Sequence, residues 1–270
     1  MQPLAAGSAR VKEARRLSRR PARAERRLFL ADGPKAVEGA LGTLIEDAGP
    51  PLVVEVFATP AATTSFPALV RLADSYGIPW TLVDDRAIAG LSDSVTSAGV
   101  VAVCRFLDRP VDDVVGGGDL VVLAADVRDP GNAGTLVRTA DAVGATGVVL
   151  AGHSVDAYNP KTVRATVGSL FHLPVALAPD PAAAVRSARA AGLTVLAADG
   201  AGEVDLFAAD ELVRGPVAWL FGNEAWGLPA ELAALADHRV AIPIPGRAES
   251  LNLATAAAVC LYATSRARLG

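Results

Sequence analysis

The sequence predicts an α/β protein of two domains, a small N-terminal one and a larger one built on a parallel sheet. Three observations point there. Short, almost wholly apolar runs of strand length alternate with helical stretches along most of the chain, the pattern of strands buried on both faces by helices. The segment 107–118, "LDRPVDDVVGGGD" in its setting, breaks this alternation with Pro110, a charged cluster and the triple glycine 116–118, and reads as a linker. The longest apolar runs, such as 256–263, fall far short of the roughly 18 residues needed to cross a bilayer.

From Asp32 onward the first domain (1–106) reads as helix 33–48, strand 52–59, helix 66–76, strand 79–84, a short helix, and strand 99–106. The second domain (119–270) is more regular. Strand 120–127 leads to helix 132–143, strand 146–151 to helix 159–171, and strand 173–178 to helix 181–191. Strands 193–198 and 217–221 follow, then helix 229–236, strand 239–244 and a final helix 251–268. Ligands of such sheets gather beyond the carboxyl ends of the strands, so residues there are the first candidates for function.

Composition narrows the function classes. With 270 residues, 51% of them hydrophobic, the chain has ample material for packed cores. Cys104 and Cys260 lie in separate apolar segments and form neither a disulfide framework nor a metal pattern, so both are expected in cores and the setting is expected to be reducing. The first 30 residues lack the apolar core of a secretory signal, and a cytoplasmic location with no membrane partner is expected. The net charge is −4, but residues 1–30 hold nine basic side chains against Glu13 and Glu25, a net of +7 that leaves −11 on the remainder. Arginine holds its charge at any working pH and grips phosphate in a fork geometry, so this start suits RNA phosphates. A solvated basic helix or a targeting segment accounts for it equally. Arginine outnumbers lysine 22 to 3 across the chain, which also allows a general compositional bias.

Three strand ends of the second domain carry unusual polar residues. In "DVRDPGNAGTLVRTADAV" a strand runs through Pro130 and Gly131 to Asn132 and, two turns later, Arg138; "FGNEAWGLP" ends a buried strand on Gly222, Asn223 and Glu224; "IPIPGRAESLNLATAAAV" opens the last helix with Ser250, Leu251 and Asn252. Singly, each has a structural account: Asn132 and Ser250 as helix caps, Glu224 as a first-turn carboxylate, the glycines as turn formers. Their recurrence at three strand ends favours a shared site. Known cofactor loops do not fit, since neither GxxxxGK[ST] nor GxGxxG nor GxSxG occurs, and His153, His172 and His238 lack zinc spacing, so no metal is expected.

On these motifs residues 119–270 resemble the SpoU (TrmH) branch of the SPOUT RNA methyltransferases. The matching residues are Asn132, Gly134 and Arg138, then Gly222, Asn223, Glu224 and Gly227, then Ile242, Pro243, Ser250, Leu251 and Asn252, with "YNPKTVRATVGSLFHLPV" (158–175) resembling the segment between the first two motifs. "RRLFLADGPKAVEGAL" is similar, more loosely, to the opening of a small α/β ribosomal-protein-like RNA-binding domain often placed ahead of this catalytic domain, with Asp32 where Glu is usual.

The resemblance implies a knotted SPOUT domain, with a parallel sheet, helices on both faces and a C-terminal trefoil knot. It implies S-adenosylmethionine as methyl donor, a ribose 2'-hydroxyl of RNA as acceptor and a homodimer. Large-subunit ribosomal RNA is the favoured substrate; transfer RNA, or an inactive RNA-binding or resistance module, are the alternatives. By the same resemblance the donor pocket involves Leu196, Ala197, Ala198 and Gly200, with Gly222, Asn223 and Glu224, Ile242 and Pro243, and Leu251 and Asn252. Arg138, Asn132, Glu224, Ser250 and Asn252 are the implied catalytic set. A guanidinium with a pKa above ~12 is a poor base, so Arg138 is expected to hold phosphate and stabilise a developing alkoxide rather than take a proton.

Overall fold

The computed structural model describes residues 2–43 and 51–269, which form two compact units; the last residues of the expected helix 33–48 lie outside the described set. Among the described residues the larger unit has eight strands and the smaller four, β1 (Leu28–Asp32), β2 (Val53–Ala58), β3 (Trp80–Leu82) and β4 (Val100–Arg105). These four form a sheet in the order β1-β4-β2-β3, with β4 antiparallel to both β1 and β2 and β3 parallel to β2.

The basic N-terminal stretch is part of this unit. Helices Ala9–Arg16 and Arg20–Arg26 precede β1. Val11, Ala14 and Leu17 recur at helical spacing and are buried with Phe57, Ile88 and Leu91, so an apolar stripe anchors a segment whose other face is arginine-rich. Arg23 is only 2% exposed. Its Nε and Nη2 donate to Asp156 Oδ2 at 3.1 and 2.6 Å, and its Nη1 donates to the carbonyls of Leu17 and Ser18 at 2.9 Å each. A buried guanidinium needs such a full set of acceptors, because removing one partner strands a charge away from water.

Asp156 belongs to a piece of chain, Asp156–His172, that packs into this first unit although it lies in sequence between strands of the second. Tyr158 is fully buried, its ring stacked on that of Phe106 with centroids 3.8 Å apart and tilted against that of Phe29 at 4.8 Å, and its hydroxyl accepts the Leu107 N–H at 2.9 Å. The expected helix 159–171 is shorter, Pro160–Thr166. It ends where Val167 (φ 53°) and Gly168 (φ 100°) turn left-handed, and a single 3₁₀ turn, Ser169–Phe171, follows.

The second unit comprises Asp108–Val155 and Leu173–Gly270. Its strands are β5 (Asp108–Arg109), β6 (Leu120–Ala125), β7 (Gly147–Ala151), β8 (Val175–Ala178), β9 (Thr194–Ala198), β10 (Val204–Asp205), β11 (Val217–Phe221) and β12 (His238–Ala241). They lie in the order β10-β12-β9-β11-β6-β7-β8-β5, and every pairing is parallel. The stretch read as a linker is therefore structured: β5 adds to the sheet edge beside β8, and Val111–Val115 forms a helix whose Val114 and Val115 enter the core. Two valines at its end outweigh the charges that suggested a flexible tether.

Strands β6, β7 and β11 are buried at every position, as continuous apolar runs require. From β6 the chain runs outward on one side through β7 and β8, then crosses to β9 on the other side, returns to β11 beside β6, and ends with β12 on the outer edge of β9, so the direction of winding reverses beside β6. The final helix, Leu253–Leu269, is fixed to this sheet by the buried Trp219 of β11, whose indole N–H donates to Thr264 Oγ1 at 2.9 Å.

Candidate functional site

Beyond the carboxyl ends of β9, β11 and β12, three adjacent strands, lies a cavity of about 260 Å³. Its wall is apolar through Phe221, Ile242, Ile244 and Leu251, and it carries the carboxylates of Asp199, Glu224 and Glu249. The turn after β11 is what opens this space. Asn223 and Gly227 exchange backbone hydrogen bonds at 2.9 and 3.0 Å, the Asn223 amide donates to the Asp126 carbonyl at 2.7 Å, and Asn223 Oδ1 accepts the Ala225 N–H at 2.8 Å. A Cβ on residue 222 would sit 2.4 Å from the backbone of Gly227, and Gly227 itself has φ 68°, so both glycines are required by geometry. The buried strand stops on Gly222 because any side chain there would strike the returning backbone, and on Asn223 because its side chain closes and anchors the turn.

Glu224 sits at the centre of a polar network on that turn. Its Oε1 accepts the Asp129 N–H at 2.9 Å and the Asn132 side-chain amide at 3.2 Å, while its Oε2 accepts the Arg128 N–H at 3.1 Å. Asn132 Oδ1 in turn accepts the Asn252 side-chain amide at 3.1 Å, and Asn252 Oδ1 takes the Ala254 and Thr255 N–H groups at the start of the last helix. Glu224, Asn132 and Asn252, from three separate motifs, are thus joined through side chains. Partial burial pushes the Glu224 pKa up, but the N–H groups of Asp129 and Arg128 and the Asn132 amide outweigh it and hold the carboxyl below its ordinary value. It is a carboxylate at neutral pH.

The other expected site residues fall into place unevenly. Ala198, Gly200, Gly222, Asn223, Ile242, Ser250 and Leu251 line the cavity. Leu196 and Ala197 do not; both are fully buried inside β9, short of its carboxyl end, where side chains serve the core. Pro243 is likewise absent from the wall, which its neighbours Ile242 and Ile244 supply. The helix caps also differ from the simple structural reading: Asp129, not Asn132, caps helix Pro130–Ala142, and Asn252 rather than Ser250 receives the N–H groups that open the last helix.

Arg138 is not joined to this network. It is exposed on helix Pro130–Ala142 and makes no hydrogen bond or ion pair among the described residues. Six residues of α-helix carry it about 9 Å along the axis from Asn132 and roughly 120° around it, too far for the two to act on one atom directly. Functional residues without a signal in the sequence are Arg128 and Asp129, whose contacts with Glu224 are made by backbone N–H groups, and Asp199, a cavity carboxylate at the end of β9.

The cysteines are in cores as expected: Cys104 and Cys260 are both fully buried, and burial pushes the Cys260 thiol up to about 12, which removes it from chemistry at neutral pH.

The protein-family model for the SpoU rRNA Methylase family matches residues 119–262. The chain is 31% identical over 256 residues to the 23S rRNA (guanosine(2553)-2'-O)-methyltransferase RlmP of Bacillus subtilis, covering 94% of each protein. It is 41% identical over 176 residues to a 23S rRNA (uridine(2479)-2'-O)-methyltransferase of Streptomyces viridochromogenes, a match spanning 62% of this chain and 61% of that one. Among solved structures, the AdoMet-bound rRNA methyltransferase of Sinorhizobium meliloti superposes with a TM-score of 0.82 at 35% identity over 96% of this chain and 95% of that one. The SpoU methyltransferase AviRb of S. viridochromogenes, in complex with AdoMet, does so with 0.83 at 31% over 97% and 98%. With the three motifs gathered at one end of a parallel sheet, and with matches that run the length of both units, the chain belongs to the SpoU rRNA methylase family.

Proposed function

We propose that this protein transfers a methyl group from S-adenosylmethionine to a ribose 2'-hydroxyl of large-subunit ribosomal RNA. The observation that carries the reading is the Glu224–Asn132–Asn252 chain of hydrogen bonds set beside the cavity at the ends of β9, β11 and β12. The cavity suits the donor. Its apolar wall matches an adenine ring, the carboxylates of Asp199 and Glu249 match ribose hydroxyls and a positive charge, and Gly222 allows the tight turn that bounds it.

When bound, the donor would supply an electrophilic methyl on a sulfonium: the ribose oxygen would bond to that carbon in line, the C–S electron pair would leave with the neutral thioether, and the hydroxyl proton would pass to solvent water. The residues of the chain supply alignment and charge. Glu224, tied to two backbone N–H groups, is a fixed negative charge rather than a proton carrier, and it orients the Asn132 amide; Asn252 holds Asn132 from the other side. Ser250 on the cavity wall is a hydrogen-bond partner for the acceptor ribose. Arg138, free of other partners, binds the phosphate of the target nucleotide and stabilises the developing alkoxide. Its separation from Asn132 is accounted for if the chain works as a homodimer in which each subunit's Arg138 serves its partner's site. A C-terminal trefoil knot around the cavity, a ribosomal-protein-like role for the first unit and a cytoplasmic location belong to the same reading.

Transfer of labelled methyl from S-adenosylmethionine to total ribosomal and transfer RNA, followed by nucleoside analysis, tests it. A labelled 2'-O-methylnucleoside from ribosomal RNA is the expected result; label in a base or in transfer RNA alone overturns the acceptor. Arg138→Ala is expected to abolish transfer while leaving donor affinity, read by calorimetry, unchanged.

A further inference from the structure

The chain has three tryptophans, and two are accounted for by packing. Trp219 is fully buried in β11, and Trp80 donates its indole N–H to Thr63 Oγ1 at 3.0 Å. Trp226 is 56% exposed. Leaving an indole in water forgoes a large favourable burial, so its position in the turn after β11 calls for an account.

Its surroundings supply one. Ala225 and Gly227 line the cavity, but Trp226 between them does not and presents its ring outside. The turn that carries it is closed by the paired backbone hydrogen bonds of Asn223 and Gly227 and pinned to the end of β6 by the Asn223 amide, so the ring is held on a stiff support. Over that ring lies the Arg128 guanidinium, 5.5 Å from the centroid. Among the described residues that guanidinium has no carboxylate or carbonyl partner; only the backbone N–H of Arg128 is engaged, by Glu224. An exposed ring with a guanidinium over one face, and no carboxylate on that guanidinium, offers the pair of groups that single-stranded nucleic acid uses, the ring's other face for a base and the fork for a phosphate.

We infer that Trp226 and Arg128 form a stacking platform for a base of the RNA substrate, placed so that the ribose beside that base reaches Glu224 and Asn132. Specificity for unpaired RNA at the target then resides partly in this turn. The inference rests on the proposed ribose methylation, yet it is tested by binding as well as by turnover.

The test measures fluorescence anisotropy of a labelled single-stranded oligouridylate with the full chain and with Trp226→Ala, Trp226→Phe and Arg128→Gln. Alanine is expected to weaken binding about tenfold, phenylalanine to retain most of it, and Arg128→Gln to flatten the salt dependence by about 0.7 in log–log slope. Unaltered S-adenosylmethionine affinity in each variant shows that the turn is intact. Steady-state transfer to ribosomal RNA is expected to show a raised KM for Trp226→Ala. Oligouridylate affinity within twofold of wild type for Trp226→Ala, or equal losses for the alanine and phenylalanine variants, overturns the platform. If the wild-type chain transfers no methyl, the enzymatic reading fails while the oligouridylate comparison still decides the platform.

Discussion

Glu224 shows how one side chain is given its state by its neighbours. Two backbone N–H groups and an amide favour its charged form, so its native pKa lies below the ordinary value of 4.5. The stabilisation this provides is present in full above that ordinary value and is lost as the pH falls through the lower native one. Between neutral and mildly alkaline pH, methyl transfer is therefore expected to show no inflection from Glu224. Glu224→Gln is expected to lower kcat on the order of 100-fold, because the loss of a fixed charge lets Asn132 drift. A pH–rate profile and single-turnover kinetics check both. Asn252 has two duties that one substitution separates. Asn252→Asp keeps the cap acceptor for Ala254 and Thr255 but replaces the amide donated to Asn132. The melting temperature is expected to stay close to wild type, since Asn and Asp cap about equally, while kcat falls roughly tenfold.

Among the elements, the segment 156–172 departs most from its place in sequence, being held in the first unit by Arg23, Tyr158 and their partners. Arg23→Ala leaves Asp156 without its main cation, and Asp156→Ala leaves Arg23 buried and charged; each is expected to destabilise the first unit by about 3–5 kcal/mol, whereas Arg23→Met with Asp156→Leu is expected to recover much of the loss. Denaturant unfolding of the three variants distinguishes these outcomes. Strands β6, β7 and β11 were legible because a strand buried on both faces must be apolar throughout, a requirement visible residue by residue. Helices Ala9–Arg16 and Arg20–Arg26 were not, because charge dominates their composition and the stripe of Val11, Ala14 and Leu17 is only three residues wide. The same competition hid β5 and the short helix behind it in what reads as a linker.

At the scale of the whole molecule, charge separates a basic start from an acidic remainder, and the structure divides the basic residues by duty. Arg23 is structural, Arg10 pairs with Glu55, and Arg16 and Arg26 pair with Glu13. Arg15, Arg19 and Arg20 are exposed and without partners among the described residues. Deleting the whole segment would also remove the buried Val11, Leu17 and Arg23, so weaker RNA binding after deletion would report unfolding as readily as the absence of cations. The triple substitution Arg15→Gln, Arg19→Gln, Arg20→Gln is the cleaner experiment. It is expected to leave the melting temperature unchanged and to reduce the salt slope of RNA binding by about 0.7 for each phosphate no longer neutralised, measured by titration at several salt concentrations.

By itself the sequence determined the alternation of apolar strands and helices, the family, and the three polar motifs, since each of these is written in local residue pattern. Which residues of those motifs meet was settled by how the chain packs. Side-chain hydrogen bonds joining Glu224, Asn132 and Asn252 span 92 and 120 positions of sequence and depend on strand order, which periodicity does not encode. The tertiary structure likewise moved Leu196 and Ala197 out of the cavity and set Arg138 apart from Asn132. Arg128 and Asp129 meet Glu224 through backbone N–H groups that any residue type except proline provides, so that contact followed from the path of the chain, not from the identity of the side chains.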